Sequence, residues 1–112
     1  MIYILTSKPA DAQIAEMLVT FVDFIKLAVD IRRGRIAAGG RMHADCEAVL
    51  LDDGSRQQNV WGADWYPVDK KVTFVSMINL RPSDGNSSTQ LRDPELRRRV
   101  EEVVRKVFEE RE

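Results

Sequence analysis

Thiol and imidazole groups are scarce in this chain, which contains one cysteine and one histidine. A single cysteine cannot form an internal disulfide, so the fold must be held by packing and hydrogen bonds, as is usual in a reducing compartment. We therefore expect a cytoplasmic protein. The same scarcity means that the chain cannot supply the repeated cysteine and histidine ligands of a familiar zinc site.

The chain also lacks an excess of charge of one sign and a long apolar run. Its 17 Lys and Arg residues nearly balance 18 Asp and Glu residues, which gives a formal net charge of −1. General nucleic-acid binders usually carry a basic excess that neutralises several phosphates, so we do not expect this class. The most apolar segment, residues 14–31, is interrupted by charged residues and is too polar to cross a membrane.

What the chain does have is the composition of an ordinary globular protein. Hydrophobic residues make up 44% of its 112 residues and charged residues 31%. These values are typical of one domain with its own core. We predict a single domain over residues 1–112, and the sequence identifies no cofactor.

Hydrophobic periodicity predicts the elements of the first half. A short strand is predicted at residues 1–5, and apolar residues at helical spacing predict an amphipathic helix over residues 9–22. Apolar and polar residues then alternate over residues 25–31, which is typical of a half-buried strand. The basic turn that follows contains a glycine, so residues 35–38 are predicted to return as a second strand.

Residues 44–53 can be interpreted in two ways. We favour a strand over residues 44–51, because the sequence Asp52–Asp53–Gly54–Ser55 is a strong hairpin signal before another strand. In the alternative, Asp45 caps a short helix that Gly54 ends.

The remaining pattern completes the predicted fold. Strands are predicted at residues 56–66 and 71–80, which are rich in β-branched and aromatic side chains. Residues 81–89 are predicted to form a loop, and residues 93–110 a helix with a solvated face of i,i+4 charge pairs. The prediction is an α+β fold, in which a mainly antiparallel meander of about five strands carries helices 9–22 and 93–110 on one face.

The most reactive segment of the chain is residues 39–47. If this segment is extended, His43, Asp45 and Glu47 point to one face of the strand. One imidazole and two carboxylates suit zinc, manganese or iron, and the same groups can act as acid and base on an organic substrate. The plainer interpretation is that these are polar residues on an exposed strand face, with His43 bonded to a neighbouring carboxylate.

Cys46, beside these residues, also has two interpretations. In a strand it packs under the sheet as a small hydrophobic residue. At a helix N-terminus its thiolate is favoured, and it can be a nucleophile. We favour the first interpretation, which follows from the strand.

Three further charged residues complete the candidate ligand site. Lys26 and Asp30 lie on one face of the strand over residues 25–31, where they form either a solvated ladder or a polar groove shared with the reactive segment. Arg81 can clamp a carboxylate or a phosphate, although a surface ion pair is the simpler interpretation. We thus predict ligand binding by His43, Asp45, Glu47, Lys26, Asp30 and Arg81.

The same sheet face mixes polar and apolar residues, which leaves two function hypotheses. One is a small polar ligand or metal bound on the His43, Asp45 and Glu47 face, with or without catalysis. The other is a non-enzymatic protein that uses the mixed face for a homodimer or another partner.

Four groups of residues also carry a resemblance. They are Ile25–Asp30, Gly39–Gly40 with His43–Glu47, Trp61–Asp64, and Ile78–Asn79 with Arg81–Pro82. Together they resemble a family of small uncharacterised prokaryotic proteins, a domain of unknown function designated DUF5674. The resemblance covers most of the chain. It implies no activity, catalytic residue or cofactor.

Overall fold

A five-stranded antiparallel sheet forms the centre of the protein, whose computed structural model describes residues 1–109. The strands, in the spatial order β1-β3-β2-β4-β5, are β1 (Tyr3–Leu5), β2 (Ile25–Asp30), β3 (Arg35–Ala38), β4 (Val60–Tyr66) and β5 (Lys71–Thr73). Every neighbouring pair of strands is antiparallel. The predicted α+β class with an open antiparallel sheet is therefore confirmed.

Three helices cover the two faces of this sheet. They are α1 (Asp11–Met17), α2 (His43–Asp52) and α3 (Pro94–Glu109). Buried side chains of α1 and α3 join the same core cluster, so these two helices pack on one face as predicted. Helix α2 packs on the other face. None of the helices in residues 1–109 is long and apolar enough to cross a membrane.

Alternation along β2 explains the two faces. Ile25, Leu27 and Val29 are fully buried in the larger core, under α1 and α3. Lys26 and Ala28 point to the opposite face, toward α2, because successive strand side chains alternate. On this side the strand carries the small Ala28 and the hydrogen-bonded Asp30, both fully buried.

Helix α3 confirms the predicted division between an apolar stripe and a solvated face. Val100, Val104 and Val107 are buried in the core. On the outside, Arg98 binds two glutamates of the same helix, at 2.6 and 2.7 Å. Arg105 binds two more, at 2.8 and 3.1 Å. Exposed pairs of this kind each stabilise a helix by only about 0.3–0.5 kcal/mol.

The predicted strand over residues 44–51 is wrong, because this segment is helix α2, as in the alternative interpretation, with Met42 and not Asp45 at its N-cap. Its buried residues are Cys46 and Leu50, which are spaced by one helical turn. Gly54, with φ of 103°, ends the helix in a conformation that glycine adopts easily. The sequence Asp52–Ser55, which predicted a hairpin, therefore forms the C-terminal end of a helix.

The predicted strand over residues 71–80 is too long, since β5 ends at Thr73. Beyond it the chain forms short 3-10 turns at Met77–Asn79 and Pro82–Asp84. Other boundaries also differ from the prediction. Helix α1 ends at Met17, β4 begins at Val60 after a turn at Gln57–Asn59, and residue 110 of the predicted last helix lies outside the described residues.

Candidate functional site

Small residues let α2 approach the sheet closely enough to form a site. Cys46 and Leu50 of α2 pack against Ala28 and Ala37 of the sheet. A Cβ atom on Gly40, just before the helix, would lie 2.9 Å from the Cys46 sulfur. The close approach brings the first turn of α2 onto β4.

His43, in this first turn, is bonded to two acceptors on β4. Its Nε2 atom lies 2.8 Å from Asp64 Oδ1 and 3.2 Å from the Ala63 carbonyl oxygen. Because both partners accept, Nε2 must carry a hydrogen and donate it. Nδ1 makes no hydrogen bond within residues 1–109, so in the neutral ring it is a free acceptor. The His43 and Asp64 side chains are only 11% and 13% exposed.

Asp64 lies in the middle of a polar row that crosses three strands. Its second oxygen, Oδ2, accepts a hydrogen bond from the Thr73 hydroxyl at 3.4 Å. Lys26 is its register partner on β2, and Thr73 is its register partner on β5. The three side chains therefore share the α2 side of the sheet.

The lysine of this row is not paired with the carboxylate beside it. Its ammonium lies 4.8 Å from the centroid of the Phe21 ring, and it forms no ion pair within residues 1–109. Phe21 stacks on Phe24, which stacks on Tyr66, at centroid distances of 4.9 and 5.2 Å. Lys71 lies over Tyr66 at the other end. Each of these two lysines thus makes a cation–π contact with an aromatic ring.

The His43–Asp64 pair has the geometry of an acid–base dyad. The carboxylate orients the imidazole through Nε2, and Nδ1 is left to take or give a proton. A histidine held in this way can exchange a proton with a bound molecule through Nδ1. The pair can also act simply as a link between α2 and β4.

The structure does not bring together the three residues predicted as metal ligands. In a helix, residues two apart point to nearly opposite sides, so Asp45 is exposed while His43 faces the sheet. Glu47 lies one turn beyond His43, and its Oε2 atom is buried without a hydrogen-bond partner in the described residues. Within residues 1–109, no group of three His, Cys, Asp or Glu side chains is placed to hold a metal ion.

Asp30 closes a turn and is paired with Val60 of β4, four residues before the Asp64 that binds His43. The Asp30 Oδ1 atom accepts hydrogen bonds from the backbone N–H groups of Arg32 and Arg33, both at 2.9 Å. These bonds fix the β2–β3 hairpin, and Asp30 lies at the opposite end of β2 from Lys26.

Arg81 holds the chain after β5 against the start of β4. Its guanidinium lies 3.7 Å from the Trp61 ring centroid and donates to the carbonyl oxygens of Gln57 and Val60. Burial lowers the pKa of Arg81, and the nearby Asp84 carboxylate opposes this shift. Each terminal nitrogen thus donates to a backbone carbonyl, and Nε lies 3.7 Å from Asp84 Oδ2, which is the ion pair of the simpler interpretation.

Cys46 is a core residue, as predicted, although it lies in a helix. It is fully buried, and its thiol donates to the Lys26 carbonyl oxygen at 3.7 Å. Burial raises the pKa of Cys46 to about 11. A neutral, inaccessible thiol is a poor nucleophile.

Sequence reasoning missed Asp64 and Thr73. The usable signal was the alternation along residues 60–66, which places Asp64 between tryptophans on a strand whose other members are apolar or small. A charged residue at such a position needs a partner. The partner is His43, which is distant in the sequence.

Comparison with known proteins identifies a family. A family model described as a protein of unknown function (DUF5674) matches residues 3–107. No curated protein and no solved structure shows significant similarity to the chain. Since the match covers nearly the whole chain, the protein belongs to the DUF5674 family, whose function is unknown.

Proposed function

We propose that the protein binds a small polar ligand at the corner formed by His43, Asp64 and Lys26, and that His43 exchanges a proton with this ligand. One observation carries the proposal. His43 Nε2 is held by two acceptors, at 2.8 and 3.2 Å, which orients the ring and leaves Nδ1 without a partner in residues 1–109.

The polar row supports ligand binding by supplying groups of different chemistry. Lys26 offers a cation, Asp64 a carboxylate and Thr73 a hydroxyl, all on the α2 side of β2, β4 and β5. The low exposure of His43 limits access to a small molecule. A partly buried dyad also strengthens electrostatic interactions with such a molecule, because the local dielectric constant is below that of water.

Two substitutions of His43 test the proposal. Glutamine places an amide N–H close to the position of Nε2, so His43→Gln keeps the bond to Asp64 but lacks the Nδ1 acceptor. His43→Ala lacks both the bond to Asp64 and the Nδ1 acceptor. We expect the wild-type protein to be stabilised by at least one compound in a thermal-shift screen of polar metabolites, and His43→Gln to lose this response while melting near the wild-type temperature.

The variants His43→Gln and His43→Ala together distinguish a ligand-binding role of His43 from a purely structural one. A structural link alone predicts that His43→Gln and the wild type respond alike to every compound, while His43→Ala is destabilised. That result would reject the proton-exchange site. A control substitution, Asp45→Asn, changes an exposed residue of the same helix turn and leaves the response intact.

Self-association as a homodimer is our second candidate function, and it is compatible with the first. The sheet face predicted for the dimer is covered by α2 and is not available. A different surface is a better candidate for contact with a second copy of the chain. It is a short segment with three exposed apolar side chains, Val75 (51%), Met77 (73%) and Leu80 (44%). Grouped apolar side chains of this kind often mark interfaces.

Sedimentation velocity over a wide range of protein concentrations tests the dimer. We expect Met77→Glu to weaken association, and Met42→Glu, the same change at another exposed methionine, to leave it unchanged. A wild-type protein that stays monomeric at the highest concentration contradicts this candidate.

We also propose a cytoplasmic location in a prokaryotic cell. The buried, unpaired thiol of Cys46 supports a reducing compartment, and the prokaryotic source follows from the family resemblance. Fractionation of cells that carry the native protein is the direct test.

A further inference from the structure

A concave site lies where α1 begins, α3 ends and the β4–β5 turn passes between them. It is a groove of about 200 Å³, and its lining includes apolar residues and side chains of both charges. None of the residues of the His43 site lines it. The groove is on the opposite face of the sheet, because Trp65 points toward α1 and α3.

The floor of the groove is aromatic. The rings of Trp65 and Phe108 stack with a centroid distance of 5.3 Å and an interplanar angle of 20°, and Ile14 and Pro67 extend the apolar lining. A rigid floor of this kind favours an apolar or aromatic group of a ligand, since two stacked, buried rings have little freedom to move.

The rim of the groove carries opposite charges that do not pair. Lys8, Asp11 and Lys70 all line it, yet none of the three forms an ion pair with another residue in the described part of the chain. Glu109, also at the rim, is bound to Arg105 at 3.1 Å. Because these cations and this carboxylate line one groove without pairing, they leave room for a molecule that carries both charges.

Lys70 adds an independent observation, because its backbone is strained. Its φ is 53°, in the left-handed region that favours glycine. Its carbonyl oxygen accepts a hydrogen bond from Arg105 at 3.1 Å, which ties the turn to α3. Strained residues held by their surroundings are frequent at binding sites.

We propose that this groove binds a small zwitterion of the amino-acid type. Its carboxylate lies toward Lys8 and Lys70, its ammonium toward Asp11, and its side chain on the Trp65–Phe108 floor. The volume limits the ligand, because sites for drug-sized molecules occupy roughly 300–1,000 Å³. A free amino acid is a ligand of this size.

Three probes that share one ring test the charge requirement. They are phenylalanine, phenethylamine, which carries only the ammonium, and 3-phenylpropionate, which carries only the carboxylate. Binding is followed by tryptophan fluorescence and by thermal shift. We expect saturable binding of phenylalanine and at least tenfold weaker binding of each single-charge analogue. Equal binding of all three, or no binding of phenylalanine at millimolar concentration, overturns the proposal.

Neighbouring lysines provide matched variants. Lys70→Gln and Asp11→Asn each weaken phenylalanine binding about tenfold, as expected for the loss of one charged contact. Lys71→Gln makes the same charge change at the next residue, which lies over Tyr66 on the other face, and leaves binding unchanged. If Lys71→Gln weakens binding as much as Lys70→Gln, the effect is general electrostatics and the groove is not the site.

Discussion

The side-chain amide of Asn79 takes the place of a neighbouring strand against Gly62. Its Oδ1 atom accepts from the Gly62 N–H at 2.8 Å, and its Nδ2 atom donates to the Gly62 carbonyl oxygen at 3.0 Å. A third bond joins Nδ2 to the Phe74 carbonyl oxygen at 3.1 Å. This amide satisfies the backbone of β4 where β5 has already ended.

Replacing Asn79 with aspartate should be strongly destabilising. The carboxylate has nearly the same shape but cannot donate, so its oxygen would face two buried carbonyl oxygens. We expect a loss of about 3 kcal/mol or more in the free energy of unfolding, measured by urea denaturation. Asn59→Asp, the same change at a side chain with no hydrogen bond in the described residues, should cost under about 0.5 kcal/mol. Similar losses for both variants would contradict the role of Asn79.

The lack of a side chain at Gly62 should matter as much as its hydrogen bonds. A Cβ atom there would lie 2.5 Å from both Cβ and Oγ of Ser76. We expect Gly62→Ala to cost about 1–3 kcal/mol through overpacking. Adding Ser76→Gly removes both close atoms, so a double-mutant cycle should show that the alanine costs less in this background. Additive costs would show that Ser76 is not the obstacle.

The elements predicted correctly from the sequence are those that bury a large apolar face, because such a face gives a regular spacing of apolar residues. Helix α3 follows a regular apolar spacing because one stripe fills the core, and β2 alternates because its neighbours cover one side with apolar residues. Helix α2 was predicted only as the alternative to a strand, because its first residues are polar and an Asp-Gly pair follows it. Polar residues of this segment face either solvent or the sheet, so their pattern does not distinguish helix from strand.

The candidate site was predicted only in part, for a related reason. His43 and Lys26 were identified, and both lie beside Asp64 in the structure. Asp45, Asp30 and Arg81 do not join them. The partner of His43 depends on how α2 packs across the sheet, which local spacing cannot reveal. The clamp of Asn79 on Gly62 was missed because an amide that imitates a strand has no periodic signature.

The buried thiol of Cys46 should make stability fall in alkaline solution. Burial raises its pKa from 9.0 to about 11, so the folded protein holds the proton more tightly than the unfolded chain. The stabilisation that the neutral thiol provides is complete below about pH 9. As the pH rises toward 11, this stabilisation is lost, and the free energy of unfolding falls by roughly 2–3 kcal/mol. Urea denaturation near both ends of this range should show a steeper loss for the wild type than for Cys46→Ala. Parallel slopes would show that the thiol does not cause the loss.

The same burial predicts slow reaction of Cys46 with thiol reagents. The side chain is fully buried, so modification requires opening of the structure and should be at least about a hundredfold faster in urea. Ellman's reagent measures both rates directly. Rapid labelling of the native protein would mean that the α2–sheet contact is open in solution.

The proton position on His43 can be measured without ambiguity, because the chain has one histidine. Two acceptors surround Nε2, so the neutral ring should carry its hydrogen there and leave Nδ1 bare. Nitrogen-15 NMR distinguishes a protonated from an unprotonated ring nitrogen by chemical shift. We expect the Nε2–H form to dominate in the neutral ring, and Asp64→Ala to increase the share of the Nδ1–H form. A wild-type ring with its hydrogen on Nδ1 would contradict the dyad, because Nε2 could then not donate to Asp64 and Nδ1 could not accept a proton from a ligand.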